Sequence, residues 1–296
     1  MTWLLSHGEG NHPSRLRALL RRGATLQAPG AHDALAALLA KRAGFEALYL
    51  SGAALSAARG LPDLGLLTMD ELVAAARGIV RAADLPLIVD GDTGYGETLN
   101  VVRLVRELEE AGAAAVQIED QEMPKRCGHL DDKHLVSLDE ATSRLRAALH
   151  ARRELLIVAR TDARGVTGLD DALARAKAYE ALGVDVVFPE GLQSEEEFAA
   201  FRRALHVPLL ANMTEFGKTP YLTTAQFQAL GYEVVIYPVS SLRLAARAVA
   251  EGYAALREAG TLEGVLPRML TRQELYDTIR YREHEAMARG LQRPPA

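Results

Sequence analysis

The sequence predicts an α/β chain folded as a (β/α)8 TIM-type barrel. Three observations carry that prediction. Eight short apolar runs recur at fairly even spacing, helix-like segments with recognisable starts lie between them, and polar, chemistry-bearing residues follow nearly every run. The runs are read as strands at Leu26–Pro29, Ala47–Ser51, Leu85–Asp90, Ala115–Asp120, Leu155–Arg160, Val184–Pro189, Pro208–Asn212 and Val234–Pro238. The central ones are rich in Val and Ile and do not alternate with polar residues, as parallel strands covered on both faces do not. An open doubly wound sheet shares this alternation of elements; the polar residues clustered after the strands favour the barrel.

Helix starts are marked by Thr68-x-x-Glu71, Ser137-x-x-Glu140, Ser194-x-x-Glu197 and Thr271-x-x-Glu274, which fit the capping box. Leu169, Leu173, Ala176 and Leu182 predict the buried stripe of one helix, with Gly183 as its terminator. A chain of 296 residues suits one barrel, so residues 1–296 are read as a single domain. Its last part, about 271–296, is read as a charged helical extension running from Thr271 to about Arg289.

Composition excludes several classes. A net charge of −5 offers no domain-wide basic field for nucleic acid. No run approaches the roughly 18 apolar residues of a membrane helix. The start of the chain lacks the basic and apolar regions of a signal peptide, and a single cysteine forms no internal disulfide, so a cytoplasmic protein is expected.

The third strand ends in Asp90-Gly-Asp-Thr-Gly-Tyr-Gly96. Two carboxylates two residues apart converge on one hard cation if the chain bends between them, and Gly91 would permit the bend. The plain alternative is an Asp/Gly-rich turn, and the glycine spacing fits neither phosphate-binding fingerprint. The fourth strand ends in Glu119 and Asp120, and four neighbouring carboxylates repel one another unless a cation or Arg and Lys partners intervene. Next comes Lys125-Arg-Cys-Gly-His129. Cys127 lies among potentially cationic residues that favour thiolate, while an ordinary thiol pKa leaves it protonated enough to be a general acid. Nucleophile, acid and bystander all remain open on composition. Arg160, Arg243 and Arg272 each offer a planar fork to a carboxylate, or a surface salt bridge. His129 and His134 are weaker loop candidates.

Together these segments resemble the isocitrate lyase/phosphoenolpyruvate mutase superfamily, and within it the 2-methylisocitrate lyases. The resemblance runs from about Leu26 to Tyr281. It rests on Tyr49-Leu-Ser-Gly-Ala53, Gly60-Leu-Pro-Asp-Leu-Gly65, Asp90–Gly96, Ile118-Glu-Asp120, Lys125–His129, Ala159-Arg-Thr-Asp162, Phe188-Pro-Glu190, Ala211-Asn-Met-Thr-Glu-Phe-Gly217 and Thr271-Arg-Gln-Glu-Leu-Tyr276. The Lys125–His129 element marks the lyase branch and is missing from the phosphonomutases.

The resemblance implies a barrel whose last helix is swapped between subunits of a homotetramer. It implies cleavage of 2-methylisocitrate to pyruvate and succinate in the methylcitrate cycle of propionate catabolism. Asp90 and Asp92 would position Mg2+ (Mn2+ being a substitute), with Glu119 reaching it through water. Ser51, Gly52 and Ala53 would hold the keto-acid end of the substrate. Cys127 and Gly128 would lie on a gating loop, and Arg160, Glu190, Asn212, Met213, Thr214, Arg243 and Arg272 would complete the pocket. Cys127 would protonate the carbanion, and Tyr49 would act at the hydroxyl end. Ala53 and Gly91 stand where relatives carry Gly and Ala, which leaves the size preference among 2-hydroxy acids such as 2,3-dimethylmalate and isocitrate open. A phosphonomutase and a catalytically silent barrel are the competing functions.

Overall fold

The structure is a computed structural model that describes residues 3–5, 8, 10–128, 130 and 132–292. His129 and residues 293–296 of the expected extension lie outside the described residues.

All eight expected strands form: β1 (Leu26–Pro29), β2 (Leu48–Leu50), β3 (Leu87–Asp90), β4 (Ala115–Glu119), β5 (Leu156–Thr161), β6 (Val186–Pro189), β7 (Leu210–Asn212) and β8 (Val234–Tyr237). Every pairing is parallel, in the orders β2-β3-β4-β5-β6 and β1-β8-β7. Two bonds join these sets into a closed barrel: Ala31 N–H donates to the Tyr49 carbonyl at 2.9 Å, and Val187 N–H to that of Pro208 at 3.0 Å. Closure leaves no sheet edge. Side chains alternate along each strand. Leu156, Val158, Ile88, Val186 and Ile236 fill the barrel interior, while Ile157, Ala159, Val89 and Val187 face the helices.

The helices are α1 (His12–Leu20), α2 (Ala34–Arg42), α3 (Gly52–Ala58), α4 (Met69–Ala83), α5 (Thr98–Glu110), α6 (Leu138–Ala151), α7 (Leu169–Ala181), α8 (Glu195–Ala204), α9 (Thr224–Ala229), α10 (Ser240–Ala259), α11 (Arg272–Thr278) and α12 (Tyr281–Leu291). Thr68 and Thr271 cap α4 and α11 reciprocally with their glutamates, as expected. Ser194 caps α8, but Glu197 turns to Gln193 N–H and Arg164 instead of closing a box.

Two expectations are corrected. The buried face of α7 is Ala172, Arg175, Ala176 and Tyr179, with Leu169, Leu173 and Leu182 only partly covered, because Arg175 and Tyr179 turn inward to Asp120. The C-terminal extension is two helices, not one. Arg280 adopts φ 57°, in the left-handed region, which breaks the helix between α11 and α12.

At the N-terminal face of the barrel, carboxylates clamp the chain as it enters the strands. Glu109 accepts the N–H groups of Arg153, Glu154 and Leu155, and Glu180 those of His206 and Val207. Asp185 accepts Ile157 N–H, and Glu233 accepts Leu209 N–H. The opposite, C-terminal ends of the strands carry the chemistry.

Candidate active site

The strand ends converge on a cavity of about 260 Å3 lined by Tyr49, Ser51, Ala53, Asp63, Asp90, Glu119, Lys125, Arg126, Cys127, Gly128, Arg160, Phe188, Glu190, Asn212, Thr214 and Arg243, among others. Strand alternation turns Tyr49, Asp90, Glu119, Arg160, Phe188 and Asn212 inward at or near the strand ends, and the loops and helices that follow the strands supply the rest. A cavity of this size and charge suits a small organic acid.

Asp90 is the anchor on one side. Its carboxylate accepts Gly52 N–H at 3.2 Å, Asp92 N–H at 3.2 Å and Gln117 Nε2 at 3.0 Å. Because a carboxylate only accepts, the Gln117 amide must present Nε2 to Asp90 and therefore Oε1 to Tyr49. Tyr49 Oη is 2.6 Å from that Oε1, so the phenol donates to it. Burial, then the charge of Asp90, pushes the Tyr49 pKa well above its ordinary value. Tyr49 is thus a neutral phenol with its proton committed, able to accept but not to act as a base.

The bend between Asp90 and Asp92, expected at Gly91, is made instead at Asp92, which is left-handed with φ 48°. Gly91 is required for close packing: a Cβ there would lie 2.8 Å from the Gln117 carbonyl oxygen. Asp92 Oδ1 lies 2.7 Å from Lys125 Nζ, in ion-pair contact without an aligned hydrogen bond. Lys125 is also paired with Asp63. Burial and the neighbouring Asp90 push the Asp92 pKa up to about 7 against the pull of Lys125.

Arg160 is the hub of the other side. Its Nε and Nη2 grip Asp162 at 2.9 and 3.0 Å, its Nη1 is 3.2 Å from Glu119, and its Nη2 is 3.6 Å from Glu190. It lies over the Phe188 ring, 5.3 Å from the centroid. Asn212 Nδ2 donates to Glu190 at 3.0 Å. Glu119 keeps one oxygen, Oε1, buried without a hydrogen-bond partner, and burial holds its carboxyl well above the usual range despite Arg160. Too few cations for these carboxylates is the state a bound cation would relieve.

That observation is the test of the expected metal site. Asp90 and Glu119 line the cavity with hard oxygen donors, Glu119 keeping one oxygen unbonded, and the Asp92 carboxylate lies beside Asp90 against Gly52 without lining the cavity, a donor set that fits Mg2+. Among the described residues no cluster of three or more His, Cys, Asp and Glu side chains forms a ready-made cage. An ion that keeps waters and takes few protein carboxylates is the kind that suits such a place. Asp120, by contrast, leaves the acidic group: it accepts Tyr179 Oη at 2.9 Å and Asp162 N–H at 2.9 Å, and pairs with Arg175 at 3.3 Å.

The loop after β4 folds over the cavity. Gly128 presses so closely on the site that a Cβ would lie 2.4 Å from Glu190 Cγ and 2.5 Å from Arg160 Nη2, which leaves room only for glycine. Cys127 is half-buried and lines the cavity. Its basic neighbours are occupied elsewhere. Lys125 pairs with Asp63 and Asp92, and Arg126 is 3.9 Å from Asp132.

The remaining expected residues divide. Thr214 and Arg243 line the rim and bond each other at 3.2 Å, with Arg243 also held by Glu215. Gly52 reaches the site only through its N–H to Asp90. Met213 is buried in the core and takes Leu222 N–H on its sulfur at 3.3 Å, so it does not line the cavity. Arg272 is exposed at the start of α11 and does not line it either, because the single chain ends its barrel before that helix. Gln117, Asp63, Asp162 and Lys133 went unassigned by the sequence.

Residues 16–257 match the family model for phosphoenolpyruvate phosphomutase. The chain belongs to the phosphoenolpyruvate mutase/isocitrate lyase superfamily. It is 50% identical over 293 residues to the 2-methylisocitrate lyase of Bacillus subtilis, covering 98% of this chain and 97% of that one. It is 52% identical over 270 residues to the enzyme of the same name from Aeropyrum pernix, covering 91% and 88%. Among solved structures, a 2,3-dimethylmalate lyase of this superfamily superposes with a TM-score of 0.90 at 35% identity, covering 96% of each chain. A phosphonopyruvate hydrolase in complex with oxalate and Mg2+ superposes at 0.86 and 32%, covering 95% of this chain and 99% of that one.

Proposed function

We propose that this superfamily member is a Mg2+-dependent carbon–carbon lyase that cleaves 2-methylisocitrate to pyruvate and succinate. The observation that carries the reading is Cys127 on a loop folded over the same cavity as Asp90, Glu119 and Arg160. A phosphonomutase has no use for that thiol, and a silent binder has no use for it beside a buried acidic pair. The relatives named 2-methylisocitrate lyase, at about half identity over nearly the whole chain, support the same substrate.

Asp90 and Asp92 would hold Mg2+, with Glu119 reaching it through water; Mn2+ is a substitute. When bound, the metal supplies a Lewis acid that lowers the pKa of the substrate hydroxyl. The protein does the rest. Ser51, the Gly52–Ala53 backbone and Tyr49 Oη receive the hydroxy-acid end. Arg160, Asn212, Thr214 and Arg243 bind the carboxylates, against which Arg160 is already oriented by Asp162. As the bond between the hydroxyl-bearing carbon and its neighbour breaks, the hydroxyl proton passes to a carboxylate of the cavity wall, where Asp90, Glu119 and Glu190 lie, the pyruvate carbonyl forms, and the electron pair of the broken bond stays on the succinate fragment. The Cys127 thiol gives that carbon its proton, with the loop excluding water.

The same reading takes the chain as a single-domain cytoplasmic enzyme of propionate catabolism, assembled as a homotetramer with the C-terminal helices swapped. No helix among the described residues is long and apolar enough to cross a membrane. α10 runs twenty residues with none buried and exposes Leu244, Val249 and Tyr253, a face suited to a second subunit.

The test is a substrate panel with purified protein and Mg2+: 2-methylisocitrate, 2,3-dimethylmalate, isocitrate and phosphonopyruvate. The highest kcat/KM is expected for 2-methylisocitrate. Turnover of another 2-hydroxy acid alone overturns the substrate and keeps the class; turnover of phosphonopyruvate alone overturns both.

A further inference from the structure

Lys133 is a buried cation that the account so far leaves unused. Its side chain is only 2% exposed. It is one of the costliest groups to bury, and such charges persist where they are paired. Lys133 Nζ donates to the Gly128 carbonyl and lies 3.3 Å from Asp162 Oδ1. Asp162, itself fully buried, is the carboxylate that grips Arg160 in a two-pronged contact, and its own N–H is held by Asp120 at 2.9 Å. The ammonium therefore touches the residue after Cys127 and the residue that orients Arg160 at once.

We propose that Lys133 is a positioning residue that latches the Cys127–Gly128 peptide to the Arg160–Asp162 pair, so that seating the proton donor and aligning the carboxylate-binding arginine are one event. The role of the thiol in it rests on the lyase reading above. Two features favour a latch over mere charge balance. The bond to Gly128 goes to a backbone carbonyl of the loop, not to another charge. Up to Arg126 the loop is tied down by Lys125, which meets Asp63 and Asp92, and by the Gln121 amide, which bonds the Arg126 N–H and carbonyl at 2.9 Å, whereas Gly128 has no side chain of its own to hold. A single ammonium shared between the two partners couples them, adding a polar tie to the close approach of Gly128 to Arg160 and Glu190.

The experiment compares wild type, Lys133→Met and Lys133→Arg by two readouts. The first is steady-state kinetics on 2-methylisocitrate with Mg2+. The second is the rate at which iodoacetamide alkylates Cys127, the sole cysteine, followed by mass spectrometry without substrate. Lys133→Met is expected to lower kcat by about 10- to 10²-fold, the scale of a misplaced catalytic group, with KM changed far less. It should alkylate faster than wild type, and Lys133→Arg should recover part of both losses. A wild-type alkylation rate in Lys133→Met, or a fall in activity that merely tracks a lower melting temperature, would overturn the proposal. If Lys133→Met does not fold, Lys133→Gln decides: faster alkylation at an unchanged melting temperature supports the latch, and a wild-type rate refutes it. Should wild type release no pyruvate, the lyase reading fails by itself, and the alkylation rates still decide whether Lys133 holds the loop.

Discussion

Tyr49 Oη donates to Gln117 Oε1 across 2.6 Å, and the far side of the same amide donates to Asp90. The chain Tyr49–Gln117–Asp90 fixes the direction of every proton in it. Tyr49→Phe should therefore remove an acceptor at the substrate hydroxyl, not a base. We expect kcat/KM to fall by roughly 10-fold, the scale of one neutral hydrogen bond. The raised Tyr49 pKa keeps the phenol neutral through the alkaline range, so the high-pH limb of the rate profile should be the same in Tyr49→Phe as in wild type. A limb that vanishes in the variant would make Tyr49 the titrating group.

Arg160 should tolerate no replacement. It is the partner of Glu119, Asp162 and Glu190 together, and Arg160→Met leaves buried carboxylates without it. Breaking a buried pair from one side costs about 3–5 kcal/mol. A denaturant titration should show a loss of that size along with loss of activity; unchanged stability would mean that the carboxylates are protonated or solvated.

The barrel's N-terminal face gives a pH prediction. Burial alone would raise the Glu109 pKa, but the N–H groups of Glu154, Leu155 and Arg153 outweigh it and hold it below the ordinary value. A depressed folded-state pKa means stability that is present above the unfolded pKa, near 4.3, and lost as pH falls through the folded one. Glu109→Gln should be less stable than wild type at pH 7, and the gap should close below about pH 4. Melting temperatures across that window check it; a constant gap would contradict the assignment.

Metal removal is the plainest of these tests. With Asp92 and Glu119 raised in pKa by burial and by neighbouring carboxylates, Asp90 among them, dialysis against EDTA should abolish turnover, and Mg2+ should restore it. Mn2+ should restore part of it. Activity indifferent to EDTA would remove the metal from the account.

Much of this molecule is legible in its sequence, for identifiable reasons. A buried parallel strand is a local pattern, and β3, β4, β5, β6 and β8 announce themselves by Val and Ile, whereas β1, β2 and β7 carry neither and are legible from the even spacing of apolar runs. Asp90, Glu119, Arg160 and Glu190 are legible as charges at strand ends, where a core has no use for them. Gln117 is not legible, because one amide inside a strand is silent until its neighbours on β2 and β3 are known. Lys133 and Asp162 are likewise ordinary residues made functional by what lies opposite. The break at Arg280 is missed because arginine carries no signal for a left-handed backbone. Met213 shows the reverse: a matching motif places a residue in a segment, not its side chain in a cavity.

The central claim is that Cys127 delivers the proton that completes cleavage of 2-methylisocitrate. The most direct measurement is pyruvate release from that substrate with Mg2+, run side by side for wild type and Cys127→Ser, with succinate quantified at the end. The account predicts equal pyruvate and succinate from wild type and a rate at least about 10²-fold lower from the variant, the usual scale for losing a general acid. Equal rates from the two proteins, or no pyruvate from wild type, would contradict it.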